Sequence, residues 1–160
     1  MYSRGPIVRF MKLYITFIFF LISLTASATP TAKLKNSVES IFQKVLEKKH
    51  QELRPEIAFP KIFYSSKIPL KQFQDAIEKQ WGQRPKEITN AFAIENNEIY
   101  LLDDANYYKR LKRCIDDSLA HELVHYIQTK YLGWDISQDE SLEWEAIEIQ
   151  SELRAELCSI

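Results

Sequence analysis

Apolar positions along the chain recur in two rhythms, one helical and one extended. Leu34, Val38, Ile41, Phe42, Val45 and Leu46 follow i, i+3, i+4 spacing, which predicts a helix over 32–51, stopped by Pro55. A second helical face, Leu70, Phe73, Ala76, Ile77 and Gln80, runs from Pro69 to Trp81 and closes at Gly82. Ile115, Leu119, Leu123 and Ile127 recur every four residues, with Asp116, Asp117 and Ser118 as candidate N-cap residues. Leu142, Ala146, Ile149 and Leu153 form the stripe of a last helix over 140–157, and 107–113 reads as a short one. Ile57, Phe59, Ile62 and Tyr64 alternate loosely around Pro60, the pattern of an edge strand. Residues 91–94 and 98–102 read as a hairpin turning at Asn96-Asn97. This order of elements predicts an α+β fold, a small twisted and mainly antiparallel sheet packed on the last two long helices.

The stripe over 115–127 carries the chemistry. His121 and His125 are four apart, so both imidazoles project from one face and reach one ion, while Glu122 points beside it. Two nitrogen ligands with an adjacent carboxylate as general base is a zinc-peptidase arrangement. Catalytic zinc keeps three protein ligands and one open position. The only other histidine, His50, lies far upstream, which leaves a carboxylate as third ligand. Glu145 lies on the stripe of the last helix, where a carboxylate is costly unless paired or bound to metal. Glu143 and Glu148 fall off that stripe and read as solvated charges.

These motifs resemble the gluzincins, the thermolysin-type zinc peptidases. In that family the ligand glutamate follows the second histidine by twenty residues, as Glu145 follows His125. Asn90-Ala91-Phe92 is similar to the family's edge strand that holds the substrate backbone, so the resemblance implies substrate binding at Asn90 and Ala91. It covers roughly 90–157 and implies a minimal, zincin-like catalytic domain with one Zn2+. It departs at Ile149, where the family has an aspartate supporting the first histidine, and at Ile136, where it has a tyrosine. The family's C-terminal helical domain has no counterpart. His50, Tyr131 and Arg154 are the candidate oxyanion donors, and Asp117 and Glu152 the candidate acceptors behind the imidazoles.

The N-terminus reads as an address. Arg4, Arg9 and Lys12 precede an apolar run over 13–24, and Ala26-Ser27-Ala28 is a cleavage signal; Met11 is an alternative start. The expectation is a signal peptide over 1–28, export to the periplasm or medium, and one domain over 29–160; an uncleaved anchor is the alternative. Export permits a disulfide between Cys114 and Cys158, the alternative being two free thiols. A formal net charge of -1 argues against a nucleic-acid partner, and three glycines leave no phosphate loop. Lys109, Arg110, Lys112 and Arg113 read as a solvated basic face, or else as attraction for an anionic substrate or surface. Residues 29–55 are placed to cover the cleft as a regulatory helix. The expected function is a monomeric, exported zinc peptidase acting on peptide or protein. The alternative is an inactive zinc-binding module that binds a protein partner.

Overall fold

A hydroxyl starts the first helix: Ser37 Oγ accepts the Ser40 N–H at 3.1 Å, and α1 runs over Val38–Lys48 with Ile41, Phe42, Val45 and Leu46 buried. The computed structural model describes residues 29–158, and the expected signal peptide lies outside them. The helix is shorter than its apolar pattern because the preceding residues bond elsewhere. Ala32 N–H donates to Asp103 O, and the backbone N–H groups of Lys35 and Asn36 donate to the fully buried Asp116 carboxylate.

The strand β1 (Lys61–Tyr64) begins directly after Pro60, so the missing N–H falls outside the ladder. Pro69 is the N-cap of α2 (Leu70–Trp81), and Gly82, at φ 66°, ends it in the left-handed conformation glycine tolerates. The hairpin β2 (Ala91–Ala93) and β3 (Glu98–Leu101) follows, then α3 (Ala105–Leu111), α4 (Ile115–Tyr126), a π-type turn over Ile127–Tyr131, and α5 (Glu140–Cys158).

The sheet order is β1-β3-β2; β2 pairs antiparallel with β3 and β1 pairs parallel. The fold is α+β, and its sheet is mixed rather than mainly antiparallel. The α2 crossover returns the chain to the far side of the sheet, which leaves β1 free to run alongside β3. Side chains alternate across the sheet. Phe92, Ile99 and Leu101 pack with α1, α4 and α5, while Ala91, Ala93 and Tyr100 pack with Phe73 and Ile77 of α2.

Both faces of the sheet are therefore covered, and α4 lies at the centre of the larger core. Leu119, Ala120, Leu123 and Val124 are fully buried, so truncating either leucine should cost about 2–5 kcal/mol. Helix α4 starts at Ile115 with Cys114 as N-cap, two residues before Asp116, the first of the residues that the sequence suggests for capping. Those carboxylates are buried in the first turn and brace other segments. Helix α5 lies antiparallel to α4: a disulfide joins Cys114 to Cys158 at one end, and His125 meets Glu143 at the other. No helix among the described residues is long and apolar enough to cross a membrane.

Candidate metal centre

Three donor atoms converge where the C-terminal half of α4 meets the first turn of α5. His121 Nε2 and His125 Nε2 lie 3.1 Å apart. Glu143 Oε2 is 3.0 Å from His125 Nε2, and its Oε1 is 3.4 Å from His121 Nε2. Among the described residues this is the group of histidine and carboxylate side chains positioned to hold a metal ion. Two imidazole nitrogens and a carboxylate form a borderline donor set suited to zinc, and three protein ligands leave a position open.

Glu145, the ligand expected from the sequence, is elsewhere. Its Oε1 is 2.5 Å from Nζ of Lys49, the C-cap of α1, and its Oε2 accepts from Gln128 Nε2 at 2.9 Å. Two residues along a helix is a rotation of about 200°, so Glu143 and Glu145 cannot face one ion. Helix α5 presents three faces. Leu142, Ala146, Ile149 and Leu153 enter the core; Glu145, Glu152 and Glu156 pair with Lys49, Lys48 and Lys44 of α1; Glu143, Ile147 and Gln150 line the cleft. The stripe position that marked Glu145 as needing a partner is satisfied by an ion pair with a lysine side chain only 4% exposed. The side chain read as solvated, Glu143, is half exposed because it faces the cleft.

Gln128 fixes the second histidine. Its Nε2 donates to both Leu142 O and Glu145 Oε2, so its Oε1 must be the atom 2.8 Å from His125 Nδ1. His125 therefore carries its proton on Nδ1 and turns the Nε2 lone pair to the site. Gln128 sits in the π-type turn that continues α4. Lys49, Glu145, Gln128 and His125 form one hydrogen-bonded chain from α1 to the site. Spacing along the sequence does not mark Gln128, because an outer partner leaves no periodic signal.

The other candidate partners are engaged elsewhere. Asp117 is fully buried and binds Arg113 and Arg154; Glu152 pairs with Lys48. His121 Nδ1 is buried without a hydrogen-bond partner among the described residues. Of the three candidate oxyanion donors, His50 is exposed at the end of α1 with φ 51°, Tyr131 packs among Phe42 and Tyr126, and Arg154 binds Asp117. None of them lines the cavity in front of the histidines.

That cavity, about 380 Å³, is bounded by His121, Glu122, His125 and Glu143, by Asn90 to Phe92, and by Gln80, Trp81, Ile136 and Ser137. Glu122 is 4% exposed, and burial, the largest influence, pushes its carboxyl above the usual carboxylate range. His121, His125 and the Phe92 N–H offset part of that. Burial lowers His125, but hydrogen bonding to Glu143 and the charge of Glu122 raise it on balance. Glu143 is held far below the ordinary carboxylate range by hydrogen bonds from His121 and His125.

Asn90 and Ala91 both line this cavity. The outward edge of β2 is nevertheless occupied rather than free. The Phe92 N–H faces Glu122, Gln80 Nε2 donates to Phe92 O at 3.0 Å, and Ile94 N–H donates to Gln80 Oε1 at 3.0 Å. The Gln80 amide thus occupies the donor and acceptor that an added strand would use. Asn90 Oδ1 accepts the Leu102 N–H at 2.8 Å, which leaves its Nδ2 donors without a partner among the described residues. The segment 29–55 packs through α1 against α4 and α5 on the core side, so it does not cover this cleft.

No protein-family model matches the chain, and neither the curated proteins nor the solved structures contain a match.

Proposed function

We propose that the chain is a zinc-dependent peptidase with a zincin-like catalytic arrangement, exported from the cell, with His121, His125 and Glu143 as ligands and Glu122 as general base. One observation carries this reading. Two imidazole nitrogens and a carboxylate converge beside a second, buried carboxylate, on the wall of a cavity large enough for a peptide segment. The gluzincin resemblance enters with a shift: the ligand glutamate is again on the following helix, but eighteen rather than twenty residues after the second histidine.

When bound, zinc supplies Lewis-acid chemistry, polarising a carbonyl and lowering the pKa of water to about 7. Glu122 takes the proton of the attacking water and returns it to the leaving amine. Its burial raises its proton affinity, which suits a group that must hold that proton between the two transfers. Gln128 holds His125 in the ligating tautomer. Asn90 lines the cavity with its Oδ1 fixed by the Leu102 N–H, so its Nδ2 is a candidate donor to the carbonyl oxygen.

The test is Glu122→Gln. It should retain the metal and lose turnover against a peptide library by at least about a hundredfold. Equal turnover in the two proteins would leave a zinc-binding interaction module as the better account.

A further inference from the structure

The cleft continues past the metal ligands on the side away from Ile136. There a second cavity, about 330 Å³, shares Asn90, His121, Glu122 and Glu143 with the first and ends at Tyr107, Arg113 and Ile147. Arg113 is built into that end. Its Nε and Nη2 both bind the fully buried Asp117 carboxylate, at 3.2 and 3.0 Å, which fixes the plane of the guanidinium. Its Nη1 has no partner among the described residues, and neither has the Tyr107 hydroxyl.

Charge points the same way. Asp117 also accepts from Arg154 Nε at 2.9 Å, so two guanidinium groups share one carboxylate and leave a net positive charge. Lys109, Arg110 and Lys112 lie exposed just before Arg113, while the whole chain has a net charge of -1. Arg113 is the cationic side chain that lines this cavity, opposite the carboxylates Glu122 and Glu143 on the metal side. A partly exposed guanidinium, pre-oriented by the buried Asp117 and keeping a spare donor, suits a carboxylate.

We propose that Arg113, with Tyr107, forms a subsite for a carboxylate of the bound peptide, set to one side of the bond to be cut. The carboxylate comes from an acidic side chain or from the peptide's C-terminus. This deepens the peptidase reading and rests on it for the identity of the ligand as a peptide. The subsite assigns a role to Arg113, which the metal chemistry does not use.

Two pairs of peptides test it, one pair with a C-terminal carboxylate or amide, the other with an internal Asp or Asn. Binding is measured by calorimetry on zinc-loaded Glu122→Gln protein, and cleavage on the unaltered enzyme. The carboxylate member of one pair should bind about tenfold tighter or better, and that pair identifies the source. Arg113→Gln should bring the ratio close to one. Arg154→Gln, which removes the other partner of Asp117 and the charge it adds, should lower the ratio only in part, because Arg113 keeps its spare donor; a merely structural role for Arg113 would give equal losses. Free succinate should compete with the carboxylate peptide and not with its neutral twin, a readout that stands if Arg113→Gln fails to fold. Equal binding within both pairs, equal losses in the two arginine variants, or no competition by succinate would overturn the subsite. Carboxylate-dependent binding without cleavage would support the subsite while removing the peptidase reading.

Discussion

Glu143 and Glu145 are two residues apart on α5 and serve different partners: the first meets both histidines, the second meets Lys49 and Gln128. Their substitutions should separate accordingly. Glu143→Ala removes a proposed ligand and should weaken zinc binding by more than the roughly 10–100-fold typical of an outer partner. Gln128→Ala should fall within that range, and Glu145→Gln at or below its lower end. Competition with a chromogenic chelator measures all three.

The edge of β2 is closed by Gln80, and a peptide that added to it would have to displace the amide. Gln80→Ala removes two hydrogen bonds worth about 0.5–1.5 kcal/mol each. If extended peptides dock along β2, KM for them should fall by about three- to tenfold with kcat little changed. An unchanged or higher KM would mean that substrate does not use this edge.

The Cys114–Cys158 disulfide spans 44 residues and ties the start of α4 to the end of α5. Loop-closure entropy for that length corresponds to about 4 kcal/mol. The double serine variant should lose stability of that order in urea unfolding, with the loss concentrated in the α4–α5 pair as read by hydrogen exchange.

Asp103 holds the turn after β1 and the start of α3 in place. Its carboxylate accepts from Ser65 Oγ, Ser66 N–H and Ser66 Oγ, at 2.6, 2.8 and 2.6 Å. Burial alone would raise its pKa, but these donors outweigh burial and lower it. The folded pKa lies below the unfolded one, so its contribution is fully present above about pH 4 and is lost as pH falls through the folded value. Asp103→Asn should cost about 1–3 kcal/mol at neutral pH and less at pH 2–3, measured by denaturant titration across that range.

Where side chains repeat along the chain, the elements were legible before any coordinates. The stripes of α2, α4 and α5 and the hairpin are all visible as periods of 3.6 or 2. Lone interactions were not. Asp116 shortens α1 by capturing the backbone of Lys35 and Asn36, a contact across the whole chain that leaves no local pattern. The parallel pairing of β1 depends on where α2 returns the chain. At the site, His121, Glu122 and His125 are local in sequence and were readable. The choice between Glu143 and Glu145 depends on how α5 is rotated against α1 and α4, which Lys44, Lys48 and Lys49 set together. A stripe shows that a carboxylate needs a partner, but not whether that partner is a metal or a lysine.

The most direct measurement is the metal content and X-ray absorption spectrum of the purified protein, with Glu143→Ala and Glu145→Gln alongside. One zinc per chain is expected, bound by two imidazole nitrogens near 2.0–2.1 Å with oxygen completing the shell, lost with Glu143 and retained without Glu145. Absence of stoichiometric zinc, or zinc that survives Glu143→Ala and leaves with Glu145→Gln, would contradict it.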